Sequence, residues 1–321
     1  MEYKIKSNFG NANSTVWDTT KDLKNIFENN DNVVLDFKDF KESNPFNMLV
    51  IAQTIKPYKT GEKISIKGKA RKINDYLEHI GFYNACGFDY GKRVGEAKSN
   101  SNYVPVRILK FSEYNGFYQQ IEKQAEELAN VLNFDKNLTK LTKYIFIELI
   151  RNVFEHADTD KLMLCAQKWP THNLVEIAIT DDGIGIPKSM KKKRKLDDDL
   201  TCIQLAKLPG ISSMSNHAVV DSQDPWSNSG YGLYVINELC KLYNGSMIIA
   251  SGNYAIYDRK NSSDIREDID FKGTAICVRF CTDIAVNFQK ELNKIVEKGQ
   301  SISTQFQDSI KRASKSSGGK Y

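Results

Sequence analysis

Cysteine pairs at metal or redox spacing are missing from this chain of 321 residues. The six cysteines (Cys86, Cys165, Cys202, Cys240, Cys277, Cys281) are scattered, without a C-x-x-C pair or a histidine at zinc spacing. That excludes a zinc ribbon or disulfide framework and leaves buried thiols in a reducing compartment as the expectation. No stretch approaches the ~20 apolar residues of a membrane-spanning helix. Met1-Glu2-Tyr3-Lys4 opens the chain without an apolar run or a small-residue cleavage site, so no signal peptide and a cytoplasmic location are expected. Charge of a single sign is scarce too. With 45 basic and 40 acidic residues, the net charge of +5 is too small and too mixed to argue for nucleic acid. The aromatic residues show no stacking pattern, and no internal repeat is visible.

What is present is ordinary globular composition, 40% hydrophobic and 26% charged, on a chain long enough for two domains. Up to residue 110, strand and helix signals alternate. Residues 32–37 read as a buried strand and 46–56 as a helix that Pro45 opens and Pro57 stops. A second strand over 63–67 and a helix from 71 to about 79, closed by Gly81, complete a β-α-β-α order that predicts a sheet with helices packed on it. Residues 114–133 form an amphipathic helix, and 138–157 a helix apolar around most of its circumference. Strands follow at 161–167 and 174–180. Residues 187–229 are long, polar and poorly periodic, which marks a functional or mobile loop. A helix over 231–243, strands at 247–250 and 274–280 separated by a polar excursion, and an amphipathic helix from 284 to about 297 complete the pattern. The tail at 314–321 has the composition of a disordered segment.

Three short segments carry candidate chemistry. Glu148, Asn152 and His156 are spaced i, i+4, i+8 and share one face of an apolar helix, where an ionised carboxylate and an amide are costly unless something polar meets them. Asp181-Asp182-Gly183-Ile184-Gly185 follows a strand directly. An acidic residue at a strand end can accept a hydrogen bond from an exocyclic amine, and glycine permits close backbone approach. Ser229-Gly230-Tyr231-Gly232-Leu233 opens a helix whose free amides and dipole suit phosphates. Each alone has an ordinary explanation: a polar surface stripe, an Asp-Gly turn, a loop-to-helix junction. Gly87 to Arg93 is no P-loop, because it has one residue too few between its glycines and no Ser or Thr after Lys92. The basic run Lys191 to Lys195 is followed at once by Asp197, Asp198 and Asp199, which reads as a solvated charge run.

Taken in order, E-x-x-x-N, D-x-G-x-G, G-x-G-L and Gly273-Thr274 resemble the four sequence boxes of the GHKL ATPase superfamily (gyrase, heat-shock chaperone, histidine kinase, mismatch repair). The likeness covers residues 138–280, about half of the chain. It implies ATP and Mg²⁺ as ligands, with Asn152 holding the metal and Asp181 the adenine amino group, supported by Thr274. It also implies that Gly183 and Gly185 let the backbone approach the nucleotide, that Gly230 and Gly232 line the phosphates, and that residues 187–229 form a lid. Glu148 matches the position that orients or deprotonates the attacking nucleophile. Asn228 and Tyr231 depart from the usual G-x-G-L-G-L. His156-Ala157 with Glu148 is most similar to the anti-sigma-factor serine kinases. A self-phosphorylating histidine kinase is not expected, since the helix over 114–133 has no histidine.

The first 110 residues resemble a STAS domain, with Ser43 near the acceptor position although the usual D-S-S-G is absent. The expected fold is therefore α+β. Residues 1–110 would be a STAS-like regulatory domain and 111–283 a GHKL sandwich with helices on one face of a mixed sheet. Residues 284–321 would be a C-terminal helix and tail. The implied function is an ATP- and Mg²⁺-dependent ATPase or serine/threonine protein kinase acting as a signalling switch. Its partner would be a protein reached through the STAS-like domain, or a second copy of the chain, rather than nucleic acid or a membrane. The alternative is a non-catalytic ATP-binding signalling or scaffold protein.

Overall fold

The computed structural model describes residues 1–5, 12–40, 44–61, 64–69, 76–113, 117–192, 194–211 and 230–305. Ser43, residues 212–229 of the expected lid and the tail at 314–321 lie outside them. The chain begins with β1 (Glu2–Lys4), α1 (Ala12–Asn29), β2 (Asn32–Asp36), α2 (Pro45–Thr60) and β3 (Ser65–Lys69). The strands form a parallel sheet in the order β1-β2-β3, with Tyr3 beside Leu35 and Val34 beside Lys67. The Asn44 side chain caps α2 by accepting the Asn47 N–H at 2.9 Å, and Pro45 occupies the first turn. Pro57 does not stop this helix. It sits in the last turn, where its missing N–H removes a single bond, and the Gly61 N–H closes the end on the Pro57 carbonyl at 3.0 Å.

Two short helices, α3 (Tyr76–His79) and α4 (Phe82–Ala85), lead to β4 (Tyr103–Lys110). There follow α5 (Phe117–Val131), α6 (Lys136–His156), β5 (Lys161–Trp169), β6 (Leu174–Asp181), α7 (Gly185–Lys191) and α8 (Asp199–Ala206). The last elements are α9 (Gly232–Leu242), β7 (Ser246–Gly252), β8 (Tyr254–Arg259), β9 (Ser263–Arg266), β10 (Phe271–Cys281) and α10 (Phe288–Gln305). Strands β4 to β10 form one sheet in the order β4-β5-β6-β10-β7-β8-β9. Every neighbouring pair in it is antiparallel. The expected mixed sheet is thus corrected, because hydrophobic patterning carries no information on strand direction. The hairpin of β8 and β9 replaces the polar excursion, and β9 escaped notice because it is an exposed edge strand. Residues 187–229 hold α7 and α8 where no element was expected.

The helices from α5 onward lie on one face of this sheet, and α1 and α2 of the first 110 residues cover the other. Along β5, β6 and β10 the side chains alternate between two cores, as period-2 geometry requires. Leu162, Leu164, Ile177, Ile179, Ile276 and Val278 pack with α5, α6, α9 and α10. Met163, Cys165, Ala178, Ala275 and Cys277 face α1, α2 and the parallel sheet. Several of the second set are small, which lets α2 lie close to β5, β6 and β10. Buried Glu176 of β6 anchors the contact, accepting the Phe46 N–H at the start of α2 (2.8 Å) and the Arg279 guanidinium (2.5 Å). A carboxylate at a helix N-terminus also meets the positive end of its dipole.

A core shared by the two sheets should unfold as one unit. Phe46 is fully buried beside Trp17, so Phe46→Ala should cost about 3–5 kcal/mol. In urea, fluorescence and far-UV circular dichroism should move together in both proteins. Two separated transitions would show that the sheets fold independently.

Candidate nucleotide site

The C-terminal half of α6, the ends of β6 and β10, and the starts of α7 and α9 line a partly open cavity. Asp135 begins α6 by accepting the Asn137 and Leu138 N–H groups at 2.7 and 3.2 Å. The helix then runs under the sheet and presents Asn152 and His156 to the cavity. The Asn152 Nδ2 is buried with no hydrogen-bond partner among the described residues. An orphaned buried amide is costly unless a ligand completes it.

Asp181 ends β6 at the cavity wall, opposite Thr274 of β10 in register. Its Oδ1 accepts the Gly183 N–H at 2.9 Å. Burial pushes the carboxyl up to about 7, against the lowering effect of hydrogen bonds from Gly183 and Thr274. Ser251 ties the neighbouring turn in place, accepting the Ile186 N–H at 2.9 Å and donating to the Gly273 carbonyl at 2.7 Å. Across the cavity, α9 starts at Gly232 with no side-chain cap on its first amides, leaving donors and the positive dipole end available to an anion.

The cavity therefore gathers Asn152, Asp181, Gly185, Gly230, Gly232 and Thr274 from the sequence motifs. Glu148 and Gly183 lie behind its wall. A side chain at 183 would strike the Ala157 carbonyl, its Cβ falling 2.0 Å from that oxygen. The glycine thus admits the end of α6. Gly185 lines the cavity, and its φ of +76° lies in the left-handed region that favours glycine. Glu148 is buried, one helical turn before Asn152, with Arg151 Nη1 3.9 Å from its Oε1. A Cβ at 232 would lie 2.3 Å from its Oε2, so the carboxylate sits directly beneath the start of α9. Gly232→Ala should for this reason displace Glu148 and lower the melting temperature, by about 1–3 kcal/mol of stability, as differential scanning fluorimetry would read. An unchanged melting temperature would contradict the close contact.

Sequence reasoning missed Ser251, which lies at the end of an apolar strand without a local signal. In the basic run, Lys191 pairs with Asp199 at 2.6 Å and Lys192 with Asp158 at 3.2 Å, in keeping with a charge run neutralised by its neighbours.

The comparison with protein families decides the domain. Residues 138–283 match the family described as histidine kinase-, DNA gyrase B- and HSP90-like ATPase. This segment is a GHKL ATPase domain. Its limits run from the first turn of α6 to just beyond β10, and so enclose every motif residue of the cavity. The sheet of the GHKL domain also contains β4, and its second face packs on α2, both of which lie outside the match. A search of curated proteins gave no match. Among the described residues, no helix is long and apolar enough to cross a membrane.

Proposed function

We propose that the chain binds Mg-ATP in this cavity and turns it over, either by hydrolysis or by transfer to a serine or threonine of a protein partner. The observation that carries the reading is the pairing of a buried carboxyl, Asp181, with an orphaned amide, Asn152, on the walls of one cavity. Asp181 suits an exocyclic amine, since an ionised carboxylate only accepts hydrogen bonds. The uncapped start of α9 suits phosphates. No group of three or more His, Cys, Asp or Glu that could hold a metal occurs among the described residues. A magnesium ion would therefore rely on the phosphates, water and Asn152, as this ion commonly does. When bound, it would neutralise charge on the transferring phosphoryl group.

The chain's own part in turnover is orientation and proton handling. Glu148 is the candidate base, accepting a proton from water or from a hydroxyl as that oxygen attacks. The N-terminal region, whose sequence resembles a STAS domain, would regulate the site and receive the partner.

One observation favours a second reading, in which ATP is bound without turnover. Glu148 lies beneath Gly232 and does not line the cavity. Product analysis with γ-labelled ATP, with the protein alone and with cell extract, separates the two. Free phosphate or a labelled protein supports turnover. Tight binding with neither product supports the switch that only binds.

A further inference from the structure

The final register pair between β6 and β10 joins Asp181 to Thr274. Beyond it, β10 bulges against β7 between Phe271 and Thr274. The Asp181 and Lys272 carbonyls thus stand at the rim of the sheet, where the ladder ends and opening is easiest. Gln53 of α2 bridges them. Its side-chain Nε2 donates to the Asp181 carbonyl at 2.6 Å and to the Lys272 carbonyl at 2.9 Å. A primary amide carries two N–H bonds, so each strand end receives its own donor.

The placement is specific. Around Gln53 the helix is buried and mostly apolar, with Val50, Ile51, Ala52, Thr54 and Ile55 all in the core. The helix is fixed at its other end by the Phe46 N–H bond to Glu176, also on β6. Asp181 is consequently held twice. The Gly183 N–H orients its carboxyl group, and Gln53 holds its main chain from the opposite face of the sheet.

We propose that Gln53 is a positioning residue for base recognition, acting through Asp181, and that α2 thereby couples the N-terminal sheet to nucleotide affinity. Gln53 itself does not line the cavity. The inference rests on the adenine-nucleotide reading of the site. Loss of the bridge frees the strand ends and disorders the one carboxyl group that distinguishes an amino group from a carbonyl at the base. A partner that shifts α2 would alter nucleotide affinity without touching the cavity.

The test uses the full chain and two nucleotides, ATP and inosine triphosphate, which has a carbonyl where adenine has its amino group. In Gln53→Leu, calorimetry should show ATP affinity falling by about five- to tenfold, the size of one lost hydrogen bond, with the affinity for inosine triphosphate unchanged. Gln53→Lys, which restores donors at similar reach, should recover most of the preference for ATP. Equal loss of both nucleotides, or an unaltered ratio, would overturn the proposal. A second arm needs no ligand. In the apo protein, amides of residues 182–184 and 272–275 should exchange about tenfold faster in Gln53→Leu than in wild type. Unchanged exchange there would refute the bridge. Failure of the wild type to bind ATP would instead refute the nucleotide reading, and the exchange arm would still decide the role of Gln53.

Discussion

Glu148→Ala should bind Mg-ATP nearly as wild type does while phosphate release or phosphotransfer falls by a factor on the order of 10². Glu148 does not line the cavity, so its removal spares the binding walls. It lies one turn before Asn152 and directly beneath the start of α9, where a carboxylate can act once that start moves to admit a nucleophile. Burial opposes the charge on Arg151, but Glu148 and Glu155 outweigh it and raise the guanidinium's pKa. That cation is set to hold Glu148 in place. Glu148→Gln should behave like Glu148→Ala, since the amide keeps the shape and loses the base. Asn152→Ala should differ from both by losing Mg²⁺-dependent binding. Rapid-quench product assays beside nucleotide titrations measure all three. A Glu148→Ala protein that turns over as fast as wild type would assign the chemistry elsewhere.

The second large effect concerns Asp181. Asp181→Asn should weaken ATP binding by at least about tenfold, because a charge-assisted bond is lost and an amide cannot act solely as an acceptor. The pH dependence makes this sharper. Burial holds the carboxyl of the free protein at about 7, and on the proposed reading the adenine amino group would bind the ionised form. Affinity should therefore rise with pH up to about 7 and then level off, and below that range fall by about tenfold per unit. In Asp181→Asn this dependence should vanish.

Stability runs the opposite way. The pKa of Asp181 is raised on folding from 3.8 to about 7. Its favourable contribution is fully present below about 4 and is lost as pH rises to about 7, because the folded state then binds more protons than the unfolded one. Asp181→Asn should remove that slope and stabilise the free protein at neutral pH. A variant that is more stable yet binds ATP less tightly is the mark of a carboxyl group kept for a ligand. Wild-type ATP affinity that is flat from pH 5 to 8 would argue against this role.

The site was more legible in the sequence than the fold around it. Asn152 and His156 share a helical face by simple periodicity, and Asp181 ends a strand whose apolar run is unmistakable, but that they meet was implied only by the likeness to the GHKL sequence boxes. Gly183 was legible as a close approach, but which atom approaches it depends on how α6 ends. Strand direction had no signal at all. Small residues on one face of the sheet, Cys165, Ala178, Ala275 and Cys277, record where α2 lies, yet small residues alone do not name their neighbour. Gln53 had no signal of its own in the sequence, because its partners lie more than a hundred residues away. Pro57 misled because a proline in the last turn costs little, whereas the same residue in mid-helix would have ended it.

The most direct test of the central claim, that the cavity between α6, β6 and α9 is an ATP site, is calorimetric titration of the full chain with ATP. It should be run with and without Mg²⁺, on wild type and on Asn152→Ala. One nucleotide per chain is expected, with Mg²⁺ strengthening binding in wild type and making little difference in Asn152→Ala, because on the proposed reading the Asn152 side-chain oxygen would be a ligand of the ion. Absence of saturable binding in the wild type, or an equal benefit from Mg²⁺ in both proteins, would contradict the account.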